Sequence, residues 1–193
     1  MSVLALKSRW LLVSLAVLVA DQWTKWLVEV HLPRGTSRPV IDGFFDLVHV
    51  RNSGVAFGLF AEQGAARAWL LALLALVALT AVGIYVWMTP RSDRLLLAAL
   101  SLVAGGAVGN LIDRIAAGGV TDFLDVYVGR HHWPAFNVAD SAITVGIALM
   151  IYDAVFPGRR RQRQAAEESA AEGSAVEASA AGGGAAARPA RSP

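Results

Sequence analysis

Residues 95–114 read LLLAALSLVAGGAVGNLIDR: eighteen positions without a charge, closed by Asp113-Arg114. A helix crosses ~30 Å of hydrocarbon with about 20 residues at ~1.5 Å each, so this stretch suffices for one crossing. Gly105 and Gly109 lie four apart in it, with Ala104 and Gly106 beside them. Small residues at that spacing let a neighbouring helix approach closely. Working outward, residues 68–88 form a second uncharged run, and residues 10–30 form a further apolar span with Asp21 and Lys25 near its far end. A fourth segment lies between 136 and 156. Its uncharged part, 141–152, is too short by itself and spans only if Asp140 lies inside the helix, near its start. The expected fold class is an all-α membrane protein with four transmembrane helices.

Composition agrees. Of 193 residues, 55% are hydrophobic with glycine left out of the count, and the mean hydropathy is +0.50. Soluble domains reach roughly 45–50% with glycine included. There is no cysteine, which removes disulfides, a thiol nucleophile and thiolate metal sites. His131 and His132 are adjacent, not at a chelating spacing on a helix, and His31 and His49 are isolated. No metal site, phosphate loop, Ser-His-Asp arrangement or nucleic-acid motif is expected.

Residues 1–156 are read as the transmembrane domain. Lys7, Arg9 and the apolar run 10–20 also have the form of a cleavable leader. Leu18 sits where such a leader wants a small residue, and the apolar pattern resumes at Trp23, so a retained helix is expected. The loop 31–66 is rich in strand formers (Val40-Ile41, Phe44-Phe45, Leu47-Val48, Val50) with turn signals at Asp42-Gly43 and Asn52-Ser53-Gly54. It is expected to lay a small sheet on the membrane face, with 117–136 as a second outer loop. Lys7, Arg9, Arg91, Arg94 and the cluster Arg159-Arg160-Arg161 with Arg163 outweigh Arg34, Arg38, Arg51 and Arg130. The positive-inside rule then places both termini in the cytoplasm and both of these loops outside. Residues 157–193 hold the Arg cluster and then Ala, Gly, Ser and Glu, the composition of a disordered cytoplasmic tail.

Ionisable groups cost roughly 2.5–3.5 kcal/mol each at the centre of a membrane helix. This chain sets Asp21, Lys25, Asp113, Arg114, Asp122 and Asp140 at or near span ends that share one side. Asp21 and Lys25 share a helix face and read as an internal ion pair. Asp113 reads as an ion partner for Lys25 or Arg114. Asn110 and Arg114 share a face; they are either a donor pair aimed into a site or, for Arg114, a side chain reaching to headgroups. Asn137 is a good N-cap, which puts Asp140 in the first turn, where a lone Asp would serve as a capping carboxylate. A proton-coupled transporter would also use intramembrane carboxylates, but nearer mid-membrane, and many transporters carry an internal repeat; no repeat is found here.

In order along the chain, Asp21-Gln22-Trp23-Thr24-Lys25, Val50-Arg51-Asn52-Ser53-Gly54-Val55-Ala56-Phe57-Gly58, the run Gly105 to Arg114, Val120-Thr121-Asp122-Phe123 and Phe136-Asn137-Val138-Ala139-Asp140-Ser141 resemble the blocks of bacterial lipoprotein signal peptidase, or signal peptidase II. The resemblance covers 10–156. It implies an aspartyl endopeptidase of the inner membrane that acts on a diacylglyceryl-modified prolipoprotein and cuts just before the lipid-bearing cysteine. It implies Asp122 and Asp140 as the catalytic pair. Asn52, Gly54, Asn110, Arg114 and Asn137 match positions that line the site in the family. Asp21, Lys25 and Asp113 remain structural. No cofactor, nucleic acid or obligate protein partner is implied; the partners are the substrate and membrane lipid.

The chemistry is consistent with that. Two carboxylates held together share one proton. The ionised one takes a proton from water, and the protonated one donates to the scissile carbonyl. The dipole at a helix N-terminus favours charge on Asp140, which makes Asp140 the base and Asp122 the acid.

Overall fold

A computed structural model describes residues 3–54 and 64–156 and the isolated positions 165, 169 and 173, with side chains placed for 9–54 and 69–156. The motif positions Val55 to Gly58 and nearly all of 157–193, for which a disordered tail is expected, lie outside the described residues. The chain divides into two units, Met1–Ile151 and Tyr152–Pro193. In the second, the rings of Tyr152 and Phe156 lie 5.0 Å apart. The site belongs to the first.

Four helices are long and apolar enough to cross a membrane: α1 (Val3–His31), α2 (Gly64–Met88), α3 (Arg94–Ala117) and α4 (Val138–Val155). Asp140 lies in the first turn of α4, as its span requires. α3 is the central helix and buries Leu96, Leu97, Ala99, Leu100, Gly105, Gly106, Gly109 and Asn110. α1, α2 and α4 keep large apolar side chains exposed, among them Leu11, Leu15, Leu73, Leu74, Val77, Val145 and Ile151. Such faces are stable against lipid, not water.

Close packing on α3 is made by its small residues. A Cβ on Gly105 would meet the Ser14 carbonyl oxygen of α1 at 2.6 Å, and one on Gly109 would meet Asp21 Oδ2 at 2.5 Å. Ser14 Oγ donates to the Ser101 carbonyl at 2.9 Å and ties the same two helices. α3 opens on Asp93, whose carboxylate accepts from Leu96 N–H. It closes on Gly118 in the left-handed region (φ 70°). That turn releases the chain into a strand two residues later.

The strands are β1 (Ser37–Ile41), β2 (Phe45–Asn52), β3 (Val120–Val128) and β4 (His131–His132), antiparallel in the order β1-β2-β3-β4. The expected sheet in 31–66 is present as β1 and β2. The segment 117–136, read as a loop, instead supplies β3 and β4. Its alternation of Leu124, Val126 and Val128 is the strand signal that reading passed over.

The register of β2 on β3 shifts once. Phe45 faces Val126 and Leu47 faces Leu124, but beyond the irregularity Val50 faces Asp122 and Asn52 faces Val120. One extra residue on β2 reverses which side chains share a face. It brings Asn52 onto the face of Asp122, as its diagonal neighbour.

Candidate active site

Asp122 lies on β3 with 2% of its surface exposed. Asn52 Nδ2 donates to its Oδ2 at 2.8 Å, and Asn137 Nδ2 donates to its Oδ1 at 2.7 Å. Asn52 is itself oriented by Gly54, whose N–H donates to Asn52 Oδ1 at 2.8 Å. Gly54 has φ +84°, a left-handed conformation that favours glycine, and a Cβ there would also press on the end of the Leu71 side chain of α2.

Asp140 is held from two elements. Asn110 Nδ2 of α3 donates to its Oδ1 at 2.7 Å. Its Oδ2 accepts from Asn137 N–H at 3.3 Å, and its own N–H donates to Asn137 Oδ1 at 2.9 Å. The reciprocal pair is a capping box with Asp in the place of Glu. Asp140 is thus both a capping carboxylate and part of the polar cluster. Asn137, fully buried, touches both aspartates through one side chain. Burial first, then the charge of Asp140, pushes Asp122 from the ordinary 3.8 up to about 6, against the lowering effect of donors Asn52 and Asn137 and of the Lys25 charge.

Beneath this pair lies a buried ion cluster. Lys25 Nζ stands 2.7 Å from Asp21 Oδ2 and 2.7 Å from Asp113 Oδ2, and donates to Asn110 Oδ1 at 3.0 Å. Of the two partners open to Asp113 on sequence, the structure pairs it with Lys25. Asp21 Oδ1 accepts from Ala139 N–H at 2.9 Å, so α1 satisfies a free donor in the first turn of α4. Gln22 adds a bond to Asp113 Oδ1 at 2.9 Å. Removing one partner of such a buried set costs roughly 3–5 kcal/mol.

Asn52 bonds Asp122, Asn110 bonds Asp140, and Asn137 bonds both. Gly54 acts through Asn52. Arg114 bonds neither: its Nη1 donates to the Asn110 carbonyl at 3.0 Å. The sequence reading missed a second layer behind β3. Thr121 Oγ1 donates to Glu29 Oε1 at 2.6 Å and accepts from Arg51 Nη1 at 3.3 Å, while Arg51 Nη2 donates to the Ala117 carbonyl at 2.6 Å. A signal existed, because Asp21, Lys25 and Glu29 repeat every four residues on one helix face.

A family model described as signal peptidase (SPase) II matches residues 13–156. A lipoprotein signal peptidase of Desulforapulum autotrophicum is 48% identical over 147 residues, covering 75% of this chain and 90% of that protein. One from Cupriavidus taiwanensis is 49% identical over 147 residues, covering 75% and 81%. A bacterial membrane enzyme solved by the in meso method at 2.3 Å is 30% identical with a TM-score of 0.67, covering 77% of this chain and 88% of that one. With the match spanning all four helices and the whole polar cluster, the chain belongs to the signal peptidase II family.

Proposed function

We propose that this protein is an aspartyl endopeptidase that removes signal peptides from diacylglyceryl-modified prolipoproteins, cutting before the lipidated cysteine. The observation that carries the aspartyl reading is Asn137, whose Nδ2 donates to the Asp122 carboxylate while its Oδ1 and backbone N–H bond the backbone N–H and carboxylate of Asp140. In this scheme Asp140 is ionised and Asp122 holds the proton. The lift of Asp122 to about 6 supports that order. Asp140 accepts a proton from water as its oxygen attacks the scissile carbonyl carbon. Asp122 gives its proton to the carbonyl oxygen. Collapse of the tetrahedral intermediate breaks the C–N bond, the amine leaves with a proton, and the shared proton is restored to the pair. Asn52 and Asn137 keep Asp122 aimed, Asn110 keeps Asp140 aimed, and Arg114 with the Gly54 backbone lines the substrate path.

The lipid on the substrate accounts for the setting. Its acyl chains stay in the bilayer beside the exposed apolar faces of α1, α2 and α4. The Lys/Arg distribution supports an inner-membrane orientation with both termini cytoplasmic and the aspartates at the outer face. The test is incubation of purified full-length protein with a lipidated prolipoprotein and mass measurement of the product. Asp122→Asn and Asp140→Asn, each well folded, are expected to lose activity on the order of 10³-fold or more. The double variant should be little worse than either, and substrate binding should persist. Near-normal cleavage by either folded single variant sinks the aspartyl mechanism.

A further inference from the structure

We propose that Arg51 is a positioning residue for the reaction: from the back of the sheet it locks β2 onto β3 in the register that sets Asn52 beside Asp122. The inference rests on the aspartyl reading above and adds a residue to it.

In the half of the ladder away from the site, Phe45 pairs with Val126 and Leu47 with Leu124. Carried on unshifted, that register would pair His49 with Asp122 and Val50 with Thr121. Residues two apart on a strand share a face. Arg51 would then stand on the face of Asp122, and Asn52 would point to the opposite one. The observed register reverses this: Val50 pairs with Asp122, Arg51 with Thr121 and Asn52 with Val120. The shift interrupts the ladder, so the inner half needs contacts of its own to hold it. Asn52 supplies one in front, where its Nδ2 donates to Asp122 Oδ2 at 2.8 Å. Arg51 supplies those behind.

Arg51 is gripped from three elements. Its Nη1 donates to Thr121 Oγ1 of β3 at 3.3 Å, and its Nη2 to the Ala117 carbonyl at 2.6 Å. That carbonyl belongs to the last turn of α3, where backbone oxygens lack helical partners and a cation is favoured. Thr121, 1% exposed, gives its own hydroxyl hydrogen to Glu29 Oε1 of α1 at 2.6 Å, which leaves its lone pairs for Arg51. Glu29 Oε1 also lies 3.9 Å from Arg51 Nη1. A planar guanidinium holds two acceptors at fixed angles, which a flexible ammonium does not. The fit behind the sheet is close: a Cβ on Gly119 would meet the Asn52 carbonyl oxygen at 3.0 Å and Arg51 Nε at 3.3 Å. Arg51 and Asn52 are consecutive, so fixing one behind the sheet fixes the other in front. A slip of one residue would break these contacts and bring a guanidinium to the face of Asp122.

The test is steady-state cleavage of a lipidated prolipoprotein by purified full-length variants, with folding checked by thermal melt. Arg51→Met keeps the stem and removes the guanidinium. It is expected to lower kcat by at least about tenfold, the scale of a slightly misplaced reacting group, and to leave KM within about twofold. Arg51→Lys should recover part of the loss. Asn52→Ala should lose at least as much as Arg51→Met, and the double variant no more than Asn52→Ala alone. Other results overturn the proposal. A lower melting temperature with normal kcat makes Arg51 a residue of the fold. A raised KM with normal kcat makes it a contact to substrate. Losses that multiply in the double variant, or a normal kcat in Asn52→Ala, break the route through Asn52. Where Arg51→Met does not fold, Thr121→Val decides, since it keeps the branched shape and removes only the hydroxyl that Arg51 binds. A normal kcat there overturns the proposal, and a loss that vanishes in the Asn52→Ala background supports it. Failure of the aspartyl reading looks different, as cleavage retained by folded Asp122→Asn or Asp140→Asn.

Discussion

Asn137 and Asp140 cap each other: Asn137 Oδ1 accepts the Asp140 N–H at 2.9 Å, and Asp140 Oδ2 accepts the Asn137 N–H at 3.3 Å. The start of α4 and the orientation of one site carboxylate are therefore a single structural event. Through its Nδ2, Asn137 also donates to Asp122 on the sheet, at 2.7 Å.

Asn137→Ala should disturb stability and activity together. It removes an N-cap, worth about 1 kcal/mol, and strips a buried donor from Asp122. A lower melting temperature with at least about a tenfold loss of kcat/KM is expected. Unchanged cleavage would show that Asn137 caps the helix and does no more.

Asp122 should make stability depend on pH. An aspartate raised from 3.8 to about 6 on folding binds its proton more tightly in the fold. That contribution is complete below the unfolded value and is lost as pH rises through about 6. It amounts to about 3 kcal/mol. Asp122→Asn cannot ionise, so the stability of the native protein relative to this variant should fall from roughly pH 4 to pH 7. Chemical denaturation at several pH values reads this directly. A difference that is flat with pH contradicts it.

Gly109→Ala should destabilise by about 1–3 kcal/mol, because the new methyl lands 2.5 Å from Asp21 Oδ2 in the ion cluster. Gly83→Ala in α2 is the control, since a Cβ there has nothing within 4 Å. Replacing a helical glycine in open space should be neutral or stabilising. Equal melting temperatures for the two variants would mean that α1 and α3 have room to part.

The orientation is tested with single cysteines, which is simple in a chain that has none. Ser37→Cys in β1 should react with a membrane-impermeant thiol reagent in intact cells. Ser92→Cys, between α2 and α3, should be protected. The reverse pattern would invert the protein in the membrane.

The spans at 68–88 and 95–112 were legible in the sequence because a bilayer imposes a simple condition, about 20 apolar residues in a row, and the other two because their charges fall near helix ends, where the cost is lower; no tertiary contact has to supply either signal. The capping role of Asn137 was legible for the same reason: a helix start is decided within four residues. Lys25 and Asp21, four apart on one helix, could be paired on paper. The rest depended on partners far along the chain. The sequence left Asp113 between Lys25 and Arg114, and packing of α1 on α3 decided it, since Gly109 lets the helices come close enough for Lys25 to reach across. The segment 117–136 read as a loop although Leu124, Val126 and Val128 alternate as in a strand; the pairing with β2 that completes the strand is not visible locally. One added residue in β2 then decides that Asn52, and not a neighbour, shares a face with Asp122. That shift leaves no mark in local propensity, because a strand's faces are defined only by what it pairs with.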